Sequence, residues 1–218
     1  MLPTLARRLP ARAAPFWHTA ALALLIVLVA VVGTLAKSSA APASRISAVY
    51  APAIFVQLGL VYYVSRAFRP RSVLRELVGQ ARFGDLAVAL ALAAFVIVGE
   101  LVFAPSSTQA LAILPRTGPE RAIWILVAAT VGFGEELVYR GYFITQLRAF
   151  TGSVAVAVAL QAILFAIAHA NQGAFAMLRF AVYACVFGAV AVWRRSLVPT
   201  IVCHVGIDVM GAFTPHNG

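Results

Sequence analysis

The sequence predicts an all-α fold, a polytopic helical membrane bundle of about seven transmembrane helices. Hydrophobic residues make up 62% of the 218 residues and charged residues only 11%, and the mean hydropathy is +0.93. A soluble domain has about 45–50% apolar and about 25% charged residues, so a soluble globular, disordered or collagen-like chain is excluded. The apolar residues form long unbroken runs, which favours helices over the alternating pattern of a membrane barrel.

Seven apolar segments approach the roughly 20 residues that a helix needs to cross the hydrocarbon core. They are Trp17–Ala36, Ser47–Ser65, Leu86–Ala104, Arg121–Tyr139, Ser153–Ala170, Phe175–Trp193 and Leu197–Phe213. We expect three helices in residues 1–118, a catalytic core in 119–213 and a short tail in 214–218. The first segment resembles a signal peptide, but its apolar run is long, so an uncleaved first helix is predicted.

The basic residues predict the orientation of the bundle. The chain has 17 basic and 7 acidic residues, a net charge of +10. With the N-terminus in the cytoplasm, twelve basic residues fall on the inner side and five on the outer side, as the positive-inside rule requires. We therefore interpret the positive net charge as a feature of a protein in the lipid bilayer and predict no nucleic-acid partner. The inner set is Arg7, Arg8, Arg12, Arg66, Arg69, Arg71, Arg75, Arg82, Arg140, Arg148, Arg194 and Arg195, and the outer set is Lys37, Arg45, Arg116, Arg121 and Arg179.

Four acidic residues lie in or against apolar runs: Glu100, Glu135, Glu136 and Asp208. A charge at the bilayer centre costs at least about 2.5–3.5 kcal/mol, which makes each a functional hypothesis. Glu136 and Arg140 are four residues apart, in the order that favours a helical ion pair. Glu135 points about 100° away from Glu136 and is left as a candidate base. The alternative is a purely structural ion pair near the membrane edge, and no role is predicted for Glu100.

Two histidines lie deep in apolar segments. A helical hairpin turning near Thr151-Gly152 would place Glu135 and His169 at the same level, because each is 17 residues from Gly152. His204 and Asp208 are spaced i, i+4 on one helix face, which predicts that Asp208 orients His204. Gly206 between them is expected to admit a close neighbour.

The other residues of interest have simpler interpretations. An isolated intramembrane histidine such as His169 is more often an interhelical hydrogen-bonding group than a catalytic one. His18 and His216 lie near the termini and are expected to be bystanders. Cys185 and Cys203 are expected to be small apolar residues, not a disulfide.

A base, two imidazoles and a carboxylate in a helical bundle suit the activation of water for attack on an amide. In one mechanism Glu135, alone or with His169, takes the proton from water, and His204 with Asp208 polarises the carbonyl. In the other, His169, His204 and a carboxylate such as Glu135 bind a divalent metal such as zinc. The His-Glu-x-x-His motif of common zinc proteases is absent from the sequence.

The ordered motifs resemble those of the CPBP family, the CAAX proteases and bacteriocin-processing (Abi) enzymes. They are Glu135-Glu136-x-x-x-Arg140, Phe165-x-x-x-His169 and His204-x-x-x-Asp208, within residues 119–213. The resemblance implies an intramembrane endopeptidase, or metalloendopeptidase, acting on a peptide or membrane-protein substrate. It implies that the catalytic residues are Glu135, Glu136, Arg140, His169, His204 and Asp208.

Asp208 stands where the eukaryotic prenyl-protein proteases of this family have Asn. The resemblance therefore implies a bacterial branch, located in the cell membrane, whose substrate need not be prenylated. An ionised Asp only accepts hydrogen bonds, which favours orientation of His204 or metal binding over an oxyanion role. Two other functions compete: a proton- or ion-coupled transporter, and a catalytically silent binding protein such as a bacteriocin-immunity partner. The transporter is disfavoured because no inverted repeat is visible. No oligomeric state is predicted.

Overall fold

The structure is a computed structural model that describes residues 14–35, 44–67, 78–103 and 108–214. Its regular elements are helices, apart from an isolated bridge between Gly79 and Ser196 in the described part of the chain. The α-helices are α1 (Phe16–Leu35), α2 (Ala51–Ala67), α3 (Asp85–Phe103), α4 (Thr108–Ile113), α5 (Gly118–Glu135), α6 (Ile144–Thr151), α7 (Val154–Ala168), α8 (Ala174–Arg194) and α9 (Val198–Met210). A π-helical turn, Ile46–Tyr50, precedes α2, and a longer π-helical segment, Glu136–Phe143, joins α5 to α6.

The predicted fold class is confirmed, since the chain forms a helical bundle with membrane-spanning character. Within the described ranges, four helices are long and apolar enough to cross a membrane: Ile46–Arg66, Asp85–Phe103, Gly118–Thr151 and Ala174–Arg194. Three shorter apolar helices are Phe16–Val32, Val154–Ala168 and Val198–Phe213. These helices correspond in order to the seven predicted segments, and the number that span the bilayer stays a prediction.

The predicted hairpin between the fourth and fifth segments is present. Gly152 ends α6 in the left-handed region at φ 71°, which glycine adopts without the steric cost of a Cβ. The Ser153 side chain then accepts a hydrogen bond from the Val156 N–H and begins α7. The fourth segment runs to Thr151 and is therefore longer than the predicted Arg121–Tyr139.

Ion pairs and hydrogen bonds connect the helices at two opposite ends of the bundle. At the Glu120 end, the Glu120 carboxylate accepts hydrogen bonds from the Arg116 and Thr117 N–H groups and lies 3.6 Å from Arg45 Nη1. At the Asp85 end, Arg194 donates to Asp85 through Nε and Nη2 at 3.0 and 2.6 Å. There the Leu197 N–H also donates to the Val78 carbonyl at 2.7 Å, which fixes the start of α9.

The structure corrects the predicted charge distribution at Arg140. Arg140 was assigned to the inner loops, but it is buried, with 4% of its surface exposed, because Glu136 neutralises it inside the bundle. The cysteines Cys185 and Cys203 are free thiols, but only Cys203 is buried. His18 contacts the Tyr63 hydroxyl in α2. Several residues of the prediction lie outside the described residues: Arg7, Arg8, Arg12, Lys37, Arg69, Arg71, Arg75 and His216.

Candidate active site

Helices α5 and α9 approach closely at Gly132. A Cβ on Gly132 would lie 3.0 Å from the Val205 backbone nitrogen and 2.8 Å from Val205 Cγ2. Only glycine therefore permits this contact, which brings the end of α5 against the middle of α9. The expectation that Gly206 admits a close neighbour is wrong, since a Cβ there would meet nothing within 4 Å.

Glu136 lies at the centre of the polar residues that this contact brings together. Its side chain is fully buried. Its Oε1 atom lies 3.0 Å from Arg140 Nη1 and accepts a hydrogen bond of 3.0 Å from His204 Nδ1. The predicted ion pair is thus present, and the same carboxylate oxygen also orients an imidazole from another helix.

The Arg140 guanidinium is also held by aromatic rings. Its Cζ atom lies 4.4 Å from the centroid of Phe165 and 5.4 Å from that of Phe187. Cation–π contacts of this kind stabilise a desolvated guanidinium. Arg140 therefore has a fixed position between Glu136 and the ring faces of α7 and α8.

Asp208 lies beside His204, as the i, i+4 spacing predicts, but it is not the hydrogen-bond partner of that ring. Asp208 Oδ2 lies 3.7 Å from His204 Nε2, which is longer than a hydrogen bond, whereas Glu136 binds the opposite ring nitrogen. The physical reason is the α5–α9 contact, which brings a carboxylate from a distant part of the chain closer than the i+4 neighbour. Glu135 Oε2 lies 3.8 Å from the same Nε2 atom, so two carboxylates flank the free edge of His204.

His169 lies one residue beyond the end of α7, as its C-cap, and not deep within a helix as predicted. Its Nδ1 atom is 2.8 Å from the Phe165 carbonyl oxygen. Since a carbonyl only accepts, Nδ1 carries the hydrogen, and Nε2 of the neutral ring is left as an acceptor. The ring packs against Phe165 and Phe180, with centroid distances of 4.7 and 4.3 Å.

These side chains line one cavity of about 350 Å³. It extends from the bundle interior, at Phe187, to the Glu120 end, at Gln172 and Gly211. Five of the six predicted catalytic residues line it, namely Glu135, Arg140, His169, His204 and Asp208. Glu136 is the exception, because it lies behind His204 and contacts the cavity only through that ring and Arg140.

The described residues do not fit the predicted zinc site as placed. Among residues 14–35, 44–67, 78–103 and 108–214, no group of three His, Cys, Asp or Glu side chains is arranged to hold a metal ion. All three candidate ligands, Glu135, His169 and His204, line the cavity, and the hydrogen bond from His169 Nδ1 to the Phe165 carbonyl leaves its Nε2 atom free. The mechanism proposed below uses no metal, and metal binding stays a prediction.

Sequence reasoning missed a second charged pair in the cavity. Arg179 Nε of α8 lies 3.2 Å from Glu100 Oε1 of α3, and both residues line the cavity wall. Glu100 was visible in the sequence as an acidic residue in an apolar run. Its partner was not, because Arg179 was interpreted as a topology charge in an outer loop.

The last two predicted motifs and the Glu-Glu motif all fall within a segment that matches a known family. Residues 117–210 match the family model described as type II CAAX prenyl endopeptidase Rce1-like. This part of the chain is similar to the Rce1-like family. The Rce1-like segment covers somewhat less than half of the chain and includes all six predicted catalytic residues. Neither a curated protein nor a solved structure matches the chain.

The match to the Rce1-like family model confirms the resemblance that the motifs indicate. It assigns the chain a CAAX-type protease domain, and hence a hydrolase class. The candidate spans and the Rce1-like segment together make this an integral membrane protein. Within the segment, α5 and α9 contribute the residues around His204, and α7 contributes His169.

Proposed function

We propose that this protein is an intramembrane endopeptidase that hydrolyses a peptide or membrane-protein substrate with a water activated by Glu135. The observation that carries this proposal is that Glu135, His169 and His204 line one cavity inside a helical bundle. The match to the Rce1-like family model favours the peptidase over a transporter or a silent binding protein. We further propose a bacterial cell membrane as its location and leave prenylation of the substrate open.

Glu135 is the proposed general base. Glu136 is occupied by Arg140 and His204, whereas Glu135 faces the cavity and forms no ion pair with an arginine of the described residues. Its carboxylate takes a proton from water as the oxygen attacks the substrate carbonyl carbon. The same proton then passes to the departing amine nitrogen as the carbon–nitrogen bond breaks.

His204 is the proposed electrophilic group. Because Glu136 accepts from Nδ1, the ring is held with its Nε2 edge towards Glu135 and Asp208 at the cavity. When Nε2 carries a hydrogen, it can donate to the oxygen that becomes negative in the tetrahedral intermediate. Glu136 and Arg140 act here as positioning residues.

His169 is proposed to assist at the water. Its Nε2 atom is the acceptor, because Nδ1 donates to the Phe165 carbonyl. It can therefore accept a hydrogen bond from the attacking water and align it for Glu135. The rings of Phe165, Phe180 and Phe187 line the same cavity and exclude other water, which strengthens each of these polar interactions.

The test is cleavage of a labelled peptide library by the full-length protein in detergent. We expect Glu135→Gln to lower turnover by on the order of 100-fold or more while the protein stays folded, because the amide keeps the volume but loses the base. The matched control is Glu120→Gln, which changes a carboxylate outside the cavity and keeps a side chain suited to a capping box. Turnover by Glu135→Gln within about threefold of the parent would contradict the role of Glu135.

A further inference from the structure

A basic and aromatic surface lies at the Asp85 end of the bundle. Arg82 and Phe83 stand just before α3, and Arg195 stands just after α8. Both helices are long and apolar enough to cross a membrane. The three residues therefore lie at the level where a spanning helix leaves the hydrocarbon core and meets the lipid headgroups.

Contacts between the two segments hold these residues next to one another. Ser196 forms an isolated β-bridge with Gly79. The Arg194 guanidinium donates to the Phe83 carbonyl at 3.5 Å and to the Asp85 carboxylate at 2.6 Å. The loop before α3 and the end of α8 therefore form one surface.

The positive charge of this surface is only partly neutralised. It holds three arginines, Arg82, Arg194 and Arg195, and one carboxylate, Asp85. Arg194 binds that carboxylate through two hydrogen bonds, from Nε and Nη2. Arg82 and Arg195 are exposed, and within the described ranges neither forms an ion pair. Two positive charges are therefore in excess at this end of the spans.

Two aromatic side chains of the same surface are open to the surroundings. Phe83 is fully exposed and Trp193 is 64% exposed, and Arg194 Cζ lies 5.3 Å from the centroid of the Trp193 ring. Rings beside arginines at the end of a span are typical of the membrane–water interface, where the rings contact the upper acyl chains and the guanidinium groups contact the headgroups. An acidic protein partner would match the arginines but gives no reason for the two exposed rings.

Arg195 occupies a backbone position that favours glycine. It ends α8 in the left-handed region at φ 53°, and in the described part of the chain it is the one non-glycine residue with a positive φ. Glycine adopts this conformation without the steric cost of a Cβ. An arginine at this cost, with its side chain exposed, indicates that the guanidinium has a use of its own.

We propose that Arg82 and Arg195 bind the phosphate of an anionic phospholipid headgroup, with Phe83 and Trp193 inserted among the neighbouring lipids. A guanidinium binds phosphate through paired hydrogen bonds. The charge bias of the chain predicts the cytoplasmic leaflet for this surface, and that leaflet is negatively charged. The bound lipid holds the ends of α3 and α8 at the level of the headgroups. This site is separate from the proposed peptidase function and does not depend on it.

The test is lipid binding to the full-length protein in non-ionic detergent, measured by native mass spectrometry. Dioleoylphosphatidylglycerol and dioleoylphosphatidylcholine have the same acyl chains and differ in the net charge of the headgroup. We expect the protein to bind the first lipid about tenfold more tightly, a preference that falls as the salt concentration rises. Glycerol 3-phosphate supplies the phosphate without acyl chains. If it binds with the same Kd as the anionic lipid, the ligand is a free phosphate and the lipid assignment is overturned.

A double variant assigns the preference to the two arginines. In Arg82→Gln with Arg195→Gln, the ratio of the two lipid affinities should fall to about one. The matched control is Arg116→Gln with Arg121→Gln, which removes two exposed arginines at the Glu120 end and should keep the parent ratio. An unchanged ratio in the first double variant, or an equal loss in both, overturns the proposal.

Arg195→Gly separates lipid binding from folding. Glycine suits the φ of 53°, so the unfolding temperature without added lipid should be kept or rise, while the preference for the anionic lipid falls by about threefold or more. Arg195→Lys keeps the charge and should keep most of the preference. If Arg195→Gly keeps the parent ratio, Arg195 does not bind the headgroup and the proposal is overturned. Phe83→Ser should weaken both lipids by a similar factor, and unchanged binding of both overturns the insertion of that ring.

Discussion

At Glu136, a single carboxylate oxygen contacts the Arg140 guanidinium of its own helical segment and the His204 ring of α9. A buried carboxylate is stable only when it is paired and hydrogen-bonded. Arg140 supplies the charge, and His204 supplies the hydrogen bond. Folding and orientation of the proposed electrophile therefore depend on the same atom.

Arg140→Ala should damage stability more than any direct chemistry. It would strand Glu136 as a buried charge, at a cost of roughly 3–5 kcal/mol. The double variant Glu136→Gln with Arg140→Met removes both charges, and its amide oxygen can still accept from His204, so part of the stability should return. Thermal unfolding in detergent measures both, and equal unfolding temperatures for the single and double variants would count against the ion pair.

The residues of the site could be predicted from the sequence, but only some of the contacts between them could. The Glu136–Arg140 pair was predictable because both residues lie four apart on one helical segment. The partner of His204 was not, because Glu136 is 68 residues away and reaches it through the contact at Gly132. Local spacing therefore favoured Asp208, which lies 3.7 Å from the ring.

Metal removal separates the two mechanisms that the sequence left open. Because the described residues form no three-ligand group, we expect the purified protein to keep its activity after chelation and to hold less than stoichiometric zinc. Activity should instead depend on Glu135 as the base. Zinc at one ion per chain, lost with activity and restored with it, would contradict this expectation and assign Glu135, His169 and His204 as ligands.

At the scale of elements, the contact between α5 and α9 sets the geometry of the site. Trp124 Nε1 of α5 donates to the Asp208 carbonyl of α9 at 2.7 Å, and Gly132 allows the close approach to Val205 two turns later. The two contacts fix α9 both along its axis and across it. Small changes at either contact should therefore shift His204 relative to Glu135.

Gly132→Ala should separate α5 from α9. The added Cβ would lie 2.8 Å from Val205 Cγ2, and overpacking of this kind costs about 1–3 kcal/mol. We expect a lower unfolding temperature and lower turnover. Gly206→Ala is the matched control, since its Cβ meets nothing and removing a helical glycine stabilises by about 0.5–1 kcal/mol. If both variants behave alike, close packing at Gly132 is not what positions the site.

The π-helical geometry of Glu136–Phe143 could not be predicted from the sequence, for a physical reason. All eight of its residues are buried, so no alternation between apolar and polar faces marks its period. Apolar runs predict helices by their length, not by the number of residues per turn. The fourth apolar segment was thus predicted as a helix, but neither its wider turns nor its full length was.

At the scale of the whole molecule, the Glu120 end and the Asp85 end of the bundle differ in how far the cavity reaches them. The cavity reaches the Glu120 end, where Gln172 and Gly211 line it, and the Asp85 end is closed by the contacts of Arg194 and Leu197. Without Arg140, the predicted inner set still holds eleven basic residues against five in the outer set. From the positive-inside rule we therefore predict that the mouth of the cavity faces the outer side of the membrane.

The orientation can be tested with reporters on the C-terminus of the full chain. We expect alkaline phosphatase fused there to be active in bacterial cells and green fluorescent protein fused there to be dark, because the first folds outside the cytoplasm and the second inside it. The charge bias is the physical reason for this outcome. A fluorescent fusion with an inactive phosphatase would reverse the predicted topology and place the cavity mouth in the cytoplasm.

The pairing within one helical segment also has a consequence for biosynthesis. A chain is made from its N-terminus onwards, so Glu136 enters the membrane well before His204, which follows 68 residues later. During that interval an unpaired carboxylate would oppose insertion. Arg140 follows Glu136 by only four residues and neutralises it within the same helix. The helix that carries the Glu-Glu motif can therefore be inserted with its Glu136 charge already neutralised. The hydrogen bond from His204 to Glu136 forms only after α9 has been made.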